Sequence, residues 1–594
     1  MKKLLIILFF PMIFYAQSDK RLKGLETKLE KVLKSFDQTG FAVSIIDGDQ
    51  VIYSKGFGYR DYEKKLKVDS NTLFAIGSCT KAFTSSLIGI LNNKGKIEYD
   101  NSPIDYVKEL RFNNSQLNEI ITVKDLMSHK TGIPRHDLSW YFFPTFSKDS
   151  LVSRIKYHSP VSTVRNKFYY NNFMFMLQGV ISERITKKSW EENIKESIFD
   201  PLKMDRSNTS IKEMENAENI AIGYTENHMK TDYYKIAGMG PAGSINSSVN
   251  DMSKWLITWI NKGKYKDEEI LPEAYVQEAI SSQNIMSPNV PTIENSDFYL
   301  ANYGFGWMIT SYKGNYKVHH GGNIDGFSAV TSFLPTENIG VVVLSNNNRS
   351  IIPVLVSNII YDQILELDKT DWIKNGLDEI KQAKKNQEEV KKNRISNKKE
   401  DTKPSHSFNE FEGNYLNKGY GNIEINTRND SLFLKTPYKN LWLSHHHYNT
   451  FLPYEINKGV INLEASYDNF LVTFYADENG DIITLTSKFE QSIDHIFFDK
   501  QSKKVKIERD GLEKYVGNYK FNSSSGCKTY LKGDVLYVFL SGQPEYELFP
   551  IDENTFSIKN LNGYKVKFLK NKKNEITEIS FIQPNGTFNA KKEK

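Results

Sequence analysis

Ser78 and Lys81 stand three residues apart, where an extended run gives way to an apolar pattern of helical spacing. Gly77 ends the extended run, and apolar side chains recur through residues 79–91. Ser78 is therefore predicted at a helix N-terminus, with Lys81 one turn further along the same face. A serine hydroxyl needs a neighbouring base to become a strong nucleophile, and a partly buried lysine can be that base. The alternative is a capping serine followed by a surface lysine.

A second polar motif, Tyr-x-Asn, is formed by Tyr170 and Asn172 before the apolar run 173–181. A tyrosine can relay a proton if nearby cations depress its pKa, and an asparagine can hold an amide through both ends of its side chain. The alternative is an aromatic turn at a helix entrance.

A third motif, His-x-Gly, begins at His319 and continues through Gly321 and Gly322. Strand-like stretches at 304–311, 329–334 and 340–344 surround it. Glycines at such a place let a substrate backbone approach a strand edge closely. The alternative is a hairpin with histidines that face solvent.

In this order the three motifs resemble those of the serine β-lactamase-related hydrolases, which include class C β-lactamases, DD-peptidases, D-aminopeptidases and related esterases. Residues 121–134 (ITVKDLMSHKTGIP), 201–204 (PLKM) and 240–252 (GPAGSINSSVNDM) are similar to further segments of that family. The resemblance extends from about residue 25 to about residue 365. The His-x-Gly and Tyr-Asn-Asn forms resemble the D-aminopeptidase and archaeal peptidase branch.

The resemblance implies roles for individual residues. Ser78 would be the acylated nucleophile, Lys81 its base, and Tyr170 a proton relay that could also activate water. Asn172 would hold the substrate amide, and His319 would replace the lysine of the family's Lys-Thr-Gly motif. Gly321 would also contact substrate, and the oxyanion hole would be the backbone N–H groups of Ser78 and Gly322.

The histidine at position 319 affects the expected substrate. A lysine there would be a permanent cation, whereas an unperturbed histidine has a pKa of about 6.5. Strong recognition of a substrate carboxylate is therefore not expected, which favours an N-terminal exopeptidase or an esterase over a β-lactamase.

The implied fold is α/β (α+β), of the β-lactamase/transpeptidase type: an antiparallel sheet flanked by helices, with a helical subdomain. It would occupy residues 17–367, followed by a polar helical linker over 368–404. Two small all-β modules, barrel-like and similar to lipocalins, are predicted at 405–503 and 508–594, because FEGNY at 411–415 recurs as YVGNY 104 positions later. They are expected to restrict access to the active site or to make oligomer contacts, in preference to a separate binding function.

The expected function is hydrolysis of small peptides or amides, D-residues included, through a Ser78 acyl-enzyme and without cofactor or metal. Ester hydrolysis and β-lactam hydrolysis by the same mechanism are the alternatives. From another class, a non-catalytic envelope receptor for penicillins or peptidoglycan fragments is the rival hypothesis.

The net charge and the N-terminal segment limit which partners and which location are expected. The segment 381–403 holds nine Lys or Arg and four Asp or Glu, and this excess of five positive charges equals the net charge of the whole chain, +5. The rest of the chain is therefore balanced in charge, and no nucleic-acid partner is expected. Residues 1–16 have a basic start and a short apolar core, which predicts a signal peptide and a periplasmic or extracellular enzyme. No stable membrane span is expected after its removal, and self-association into a homo-oligomer is left open.

Three other features have competing interpretations. Cys79 is expected to pack inward, and a disulfide with Cys527 is not indicated. The run of histidines at 445–447 is interpreted as polar strand residues in preference to a metal site. The loop 135–137 (RHD) either contributes to the substrate pocket or is a surface loop with its own salt bridge.

Overall fold

The computed structural model describes residues 19–288, 290–293, 296–457, 459–467, 470–501, 507–559, 561, 563–583 and 586–593, without the side chains of 237, 391 and 394–396. The predicted signal peptide lies outside the described residues. The chain forms two compact units, 1–390 and 391–594. Among the described helices, none combines the length and the apolar character that crossing a membrane requires.

An antiparallel sheet is the centre of the N-terminal unit, with the strand order β3-β2-β1-β13-β12-β11-β10-β9-β8 in the described part of the chain. Its core strands are almost entirely buried, as expected for a sheet covered on both faces. The strands of this unit are β1 Gly40–Asp47, β2 Gln50–Asp61, β3 Leu66–Lys67, β4 Phe74–Ala75, β5 Asn246–Ser247, β6 Lys264–Tyr265, β7 Glu268–Glu269, β8 Asn284–Ile285, β9 Ala301–Tyr303, β10 Met308–Tyr312, β11 Asn315–Ile324, β12 Phe327–Leu334 and β13 Ile339–Ser345.

Helices cover both faces of this sheet. The helices are α1 Leu25–Ser35, α2 Thr80–Asn93, α3 Pro103–Tyr106, α4 Ser115–Ile120, α5 Val123–Met127, α6 Leu138–Tyr141, α7 Lys148–Arg154, α8 Asn172–Thr186, α9 Trp190–Ile194, α10 Asp200–Leu202, α11 Ile211–Asn216, α12 Gly240–Gly243, α13 Val249–Ile260, α14 Glu273–Ala279, α15 Ile352–Ile364 and α16 Trp372–Asn397. α1 and α15 share one apolar core with β1 and β13, while α13 packs on the other face, where Gly340 leaves room for Leu256 and Ile260. α2 and α8 pack against each other in the helical subdomain.

The stretch 368–404, predicted as a polar helical linker, contains the helix α16. Its first residue, Trp372, is anchored because the indole Nε1 donates to Asp362 Oδ2 at 2.8 Å. Most of the remaining described side chains of α16 are exposed. The structure thus shows a helix whose start packs on α15 and whose surface is largely polar.

The C-terminal unit contains two closed barrels. The first ring runs β14-β15-β16-β17-β18-β20-β21-β22, closed by the β17–β18 and β14–β22 pairings, with β19 added beside β18. The second ring runs from β23 to β30. The elements are α17 Phe408–Phe411, β14 Gly413–Asn417, β15 Gly421–Arg428, β16 Ser431–Lys435, β17 Asn440–His447, β18 Thr450–Asn457, β19 Val460–Ser466, β20 Val472–Ala476, β21 Ile482–Ser487, β22 Ile496–Gln501, α18 Arg509–Leu512, β23 Gly517–Lys520, β24 Gly526–Lys532, β25 Val535–Leu540, β26 Glu545–Pro550, β27 Thr555–Ile558, β28 Lys565–Lys570, β29 Ile576–Gln583 and β30 Gly586–Lys592.

The sequence repeat marks the same structural device in each barrel. The Tyr415 hydroxyl donates to the carbonyl of Phe411 at 2.7 Å, and the Tyr519 hydroxyl donates to the carbonyl of Tyr515 at 3.0 Å. In both cases a buried tyrosine of the first strand holds the turn that enters the barrel. The interiors are filled with apolar and aromatic side chains, as expected for barrels of this size.

Candidate active site

Ser78 is the one accessible residue of a buried stretch. A 3₁₀ turn over Gly77–Cys79 leads directly into α2, and every residue from Thr72 to Gly89 is buried except Ser78. Gly77 has φ +50°, and a Cβ there would lie 2.8 Å from the backbone N of Asn323. The turn therefore needs glycine, both for its backbone conformation and for the approach of β11. The predicted helix N-terminus at Ser78 is thus formed by a 3₁₀ turn.

Lys81 contacts Ser78 from one turn further along. Its Nζ lies 3.1 Å from Ser78 Oγ, 2.7 Å from Asn172 Oδ1 and 2.8 Å from the carbonyl O of Ala242. The last two partners are acceptors only, whereas the Ser78 hydroxyl can also donate. A neutral amine has two N–H groups for the two carbonyl oxygens, and its lone pair is then directed at the Ser78 hydroxyl.

The surroundings favour this neutral form of Lys81. Burial lowers the pKa of the Lys81 ammonium well below its ordinary value, and the nearby Arg135 guanidinium lowers it further. Asp137 acts in the opposite direction, with a smaller effect. Because burial penalises the charged form, Lys81 is available as a proton acceptor.

Tyr170 lies close to both Ser78 and Lys81, whose Nζ is 4.8 Å from the centre of the Tyr170 ring. Burial raises the pKa of Tyr170 strongly, although a hydrogen bond with the Ser78 side chain and the charge of Arg135 both lower it. The cation therefore acts in the predicted direction, but burial outweighs it and the net shift of the Tyr170 pKa is upward. The phenol stays protonated, so Tyr170 can relay a proton but does not supply a tyrosinate base.

Asn172 begins α8 and links Lys81 to Asp137. Its Oδ1 accepts from Lys81, and its Nδ2 donates to Asp137 Oδ1 at 2.8 Å. Asp137 also accepts from Arg135 Nε at 2.6 Å, which is the internal salt bridge predicted for this loop. The Arg135 guanidinium carbon lies 4.7 Å from the centre of the Tyr170 ring. The loop is therefore both internally paired and part of the site.

The two adjacent histidines of β11 lie on opposite faces of the sheet. His319 is opposite Ser332, whose Oγ contacts Tyr361 of α15 at 2.9 Å. His320 is opposite Thr331, and its ring lies 6.3 Å from that of Tyr170. The structure therefore moves the role predicted for His319 to His320, because successive strand residues alternate between faces.

His320 is a neutral, fully engaged side chain. Its Nδ1 lies 2.6 Å from the carbonyl O of Gly321, which can only accept, so Nδ1 carries the proton. Its Nε2 then accepts from the Tyr303 hydroxyl at 3.1 Å. Burial lowers the pKa of His320 to about 3. The site consequently has no cation at the position of the family's Lys-Thr-Gly lysine.

The hairpin registers identify which backbone N–H faces Ser78. The two-residue turns at 313–314 and 325–326 make Tyr312–Asn315 and Ile324–Phe327 the closing pairs of their hairpins. Counting from either turn, the N–H of Gly322 points to β12, whereas that of Asn323 points to the other side, where the pairing with β10 has ended at His319. The second oxyanion donor is therefore assigned to Asn323 instead of Gly322.

Gly322 has a steric role instead. A Cβ at this residue would lie 1.9 Å from the carbonyl O of Ile76 and 3.2 Å from the backbone N of Ser78. Only glycine lets β11 lie directly against the nucleophile turn. Gly321 is less crowded, because the nearest atom to its Cβ would be 3.8 Å away. Its carbonyl contacts His320, so its predicted substrate contact stays a prediction.

Residues that the sequence did not single out contact the turn that follows Asn323. Tyr141 stacks on Tyr234 with ring centres 4.6 Å apart, and its hydroxyl donates to Asp325 Oδ2 at 2.7 Å. Asp325 belongs to the β11–β12 turn, two residues beyond Asn323. Three separate segments thus meet at the turn that follows β11, and only the fold brings them together.

His129 was also missed, although it lies in the family-like segment 121–134. Its Nδ1 accepts from the backbone N–H of Asn171 at 3.1 Å, and its ring lies 4.5 Å from that of Tyr170. Burial lowers its pKa well below the ordinary value. The neutral His129 ring therefore packs against the ring of Tyr170.

Cys79 is not a competing nucleophile. Its Sγ lies 3.2 Å from the carbonyl O of His320, and burial raises the pKa of the thiol to about 12. Cys79 and Cys527 are both free and buried. Within the described ranges, no group of three or more His, Cys, Asp or Glu is placed to hold a metal ion.

A family model described as Beta-lactamase matches residues 28–354, just over half of the chain. The chain belongs to the beta-lactamase family. The resemblance inferred from the three motifs is thereby confirmed, and so is the predicted fold class, including two β-barrels. A second model, a domain of unknown function (DUF3471), matches residues 397–500, which include all but the last residue of the first barrel.

Two similar proteins show less than 30% sequence identity to this chain. "Protein flp" of Staphylococcus aureus (strain MRSA252) is 28% identical over 353 residues, which are 56% of this chain and 65% of that protein. "Unguisins hydrolase ungD'" of Aspergillus campestris is 26% identical over 341 residues, 54% of this chain and 61% of that protein. The matches therefore span less than two thirds of each relative's length.

Among solved structures, the octameric penicillin-binding protein homologue from Pyrococcus abyssi is similar, with a TM-score of 0.53 and 23% identity. The similarity covers 81% of this chain and 100% of the archaeal one. It supports the fold. Within this beta-lactamase-family fold, the structure brings Ser78, Lys81, Tyr170 and Asn172 together, and it places His319 outside the cluster.

Proposed function

We propose that this chain hydrolyses small peptides or amides, including ones that contain D-amino acids, through an acyl-enzyme on Ser78. The observation that carries the proposal is the contact between Lys81 Nζ and Ser78 Oγ at 3.1 Å. Family membership supports a serine hydrolase, and the contacts of Lys81 support its role as the base.

In the proposed acylation, Lys81 and Tyr170 move the protons. Lys81 accepts the proton of Ser78 as Oγ attacks the substrate carbonyl carbon, and the carbonyl oxygen becomes an oxyanion. The backbone N–H groups of Ser78 and Asn323 stabilise that oxyanion. When the C–N bond breaks, the protonated Lys81 supplies a proton through the Tyr170 hydroxyl to the leaving amine, and Lys81 becomes neutral again.

Deacylation uses the same groups in reverse. A water molecule attacks the ester carbonyl and passes a proton through Tyr170 to Lys81. The second tetrahedral species collapses, Ser78 Oγ regains the proton, and a carboxylic acid is released. Since the Tyr170 phenol stays protonated, Lys81 is the terminal base in both half-reactions.

The charges around the site favour a substrate with a free amine and without a carboxylate near the scissile bond. The neutral His320 provides no cation for a carboxylate, and the Arg135 guanidinium is already paired with Asp137. Asp325, in the turn that follows Asn323, adds a carboxylate beside Tyr141. An ammonium group next to a carboxylate and an aromatic ring is well accommodated. This supports aminoacyl amides over penicillins.

The test compares the protein from residue 17 onward with its Ser78→Ala variant and with Ser86→Ala as a matched control. Ser86 lies on the same helix, where its Oγ donates to the carbonyl O of Ala82 at 2.8 Å. D- and L-aminoacyl p-nitroanilides, their N-acetylated forms and p-nitrophenyl esters are supplied at equal concentration. We expect aminoacyl amide turnover that requires Ser78 and not Ser86.

Other results of this test would favour a different function. Turnover by a folded Ser78→Ala protein ends the proposal, and turnover of esters alone replaces it with an esterase. Labelling of Ser78 by a fluorescent penicillin without hydrolysis favours the non-catalytic receptor.

We also propose export and self-association. The basic start and apolar core of residues 1–16 support export, and the similar archaeal protein is described as octameric. N-terminal sequencing of the secreted protein and light scattering of the purified protein test these two proposals.

A further inference from the structure

Loop 135–137 is shaped so that two of its charged side chains reach the site. His136 has φ +47°, a backbone conformation that is uncommon outside glycine. Its buried ring stacks on that of His158, with 4.3 Å between the ring centres and an interplanar angle of 6°. The anchored His136 thus holds Arg135 and Asp137 beside α8. A strained residue that is held by packing indicates a structural demand on its neighbours.

Asp137 determines the orientation of the Asn172 side chain. Its Oδ1 accepts from Asn172 Nδ2 at 2.8 Å and from Trp140 Nε1 at 2.9 Å, while Oδ2 accepts from Arg135. An ionised carboxylate can only accept hydrogen bonds. It therefore selects the Asn172 orientation in which Nδ2 faces Asp137 and Oδ1 faces Lys81.

The opposite orientation of Asn172 would impair the base. Nδ2 would then donate to the lone pair of the neutral Lys81, and that lone pair would no longer be directed at the Ser78 hydroxyl. Arg135 acts on the second proton carrier, because its guanidinium lies over the Tyr170 ring.

We propose that Arg135 and Asp137 are a positioning pair: Asp137 fixes which end of the Asn172 amide faces Lys81, and Arg135 holds Tyr170 against Ser78. The proposal rests on the proposed function, because it concerns the same nucleophile and base. Neither residue is assigned a contact with the reacting atoms.

The pair also has a distinctive electrostatic consequence. Arg135 lowers the pKa of Lys81, whereas Asp137 raises it. Removing one charge or the other should therefore shift the protonation of Lys81 in opposite directions. The other titratable groups that face Lys81 are Cys79 beside α2, His129 after α5, Tyr170 before α8 and His320 on β11.

The experiment measures the rate at which a fluorophosphonate probe modifies Ser78, as a function of pH, in Asp137→Asn and Arg135→Met proteins. This rate reports the nucleophile and its base without requiring the natural substrate. Arg165→Met is the matched control, because Arg165 also pairs with a buried carboxylate, Asp125, at 2.8 Å, in the same subdomain. Circular dichroism verifies the folding of each variant.

We expect Asp137→Asn to react about 10- to 100-fold more slowly, a loss within the range of a misaligned general base. The acidic limb of its rate–pH profile should move to lower pH. The acidic limb of the Arg135→Met profile should move to higher pH, and each shift should be about half a pH unit or more. Arg165→Met should keep the wild-type limb. If Asp137→Asn does not fold, the Arg135→Met protein alone tests the proposal, which requires its acidic limb to move to higher pH.

The positioning pair would be overturned if the acidic limbs of the Asp137→Asn and Arg135→Met profiles stayed in place or moved in the same direction. It would also be overturned if the limb of Arg165→Met moved equally. These outcomes would leave the Ser78 hydrolase proposal intact. Absence of probe modification at Ser78 in the folded wild type would overturn both.

Discussion

Two buried lysines lie on opposite faces of the same sheet, and their surroundings differ. Lys81 is fully buried, and its neighbours are the Ser78 hydroxyl and two carbonyl oxygens. Lys317 of β11 is 6% exposed and donates to Asn358 Oδ1 at 3.0 Å. Its Nζ also lies 4.9 Å and 5.2 Å from the ring centres of Tyr312 and Tyr361.

Burial lowers the pKa of both lysines, but neighbouring charged groups determine how large the decrease is. Arg135 adds to the effect at Lys81, whereas Asp362 opposes it at Lys317, where burial lowers the pKa to about 8. Aromatic faces also stabilise a cation at Lys317. The comparison teaches that burial alone does not make a lysine a base. A partner that can donate a proton, and a local charge that favours the neutral amine, are also needed.

The strongest test of this comparison replaces each lysine with methionine. Lys81→Met should lower Ser78-dependent turnover by about 10²–10⁴-fold, because the proton acceptor is lost. Lys317→Met should change turnover by less than about 10-fold, since its side chain faces α15. Steady-state kinetics of both variants decide. Equal losses would show that Lys81 has no special role as the base.

The two glycines of β11 sharpen the comparison of the two faces. Gly322→Ala places a methyl group against Ile76 and should displace β11, lowering turnover by about 10²–10³-fold through the misplaced Asn323 donor. Gly321→Ala meets only an ordinary contact, so its thermal midpoint should stay within about 2 °C of wild type.

Kinetics and thermal unfolding of the two glycine variants provide the check. If Gly322→Ala retains full turnover, β11 does not need to lie against Ser78, and the assignment of Asn323 as an oxyanion donor is contradicted.

The pH dependence of kcat/KM separates Lys81 from the histidines. Turnover should fall as pH decreases through the lowered Lys81 pKa, because the ammonium form cannot accept the Ser78 proton. His320 has a pKa of about 3 and should stay neutral throughout. His320→Gln is therefore expected to retain the acidic limb. A limb that disappears in this variant would identify His320 as the titrating group.

The smallest expected effect is on stability. At pH 7, Lys317→Met should raise the free energy of unfolding by about 1–2 kcal/mol, because a buried cation is replaced by an apolar group. Between about pH 8 and the ordinary lysine pKa near 10.4, the unfolded wild type binds more protons than the folded one. Wild-type stability should therefore rise with pH, and the advantage of the variant should shrink.

Urea unfolding at pH 7 and pH 10 measures the difference between the two proteins. An advantage that does not change with pH would contradict the lowered pKa of Lys317.

The order of the motifs was enough to predict the family and the fold class, and both are confirmed. Spacing along one helix put Lys81 within reach of Ser78, because local geometry alone decides which residues share a helix face. The Tyr-x-Asn motif likewise predicted two residues that the structure brings to Ser78. Signals of this kind survive in a sequence because they depend on neighbours in the chain.

The choice between His319 and His320 did not follow from the motif. A shift of one residue along a strand moves a side chain to the other face, and two adjacent histidines fit the same His-x-Gly pattern. Only the register with β12 shows that His320 shares the face of the Ser78 turn. The same alternation transfers the oxyanion donor from Gly322 to Asn323.

The sequence by itself determined the family fold and the repeated barrel modules, and it predicted Ser78 as the nucleophile and Lys81 as its base. Tertiary structure alone decided the burial that shifts the pKa values of Lys81 and Tyr170, the contact between Tyr141 and Asp325, and the link from Asp137 through Asn172 to Lys81. The physical reason is that helix spacing and repeats are local properties of the chain. Burial and charge depend on segments that are distant in sequence and meet only when the protein folds.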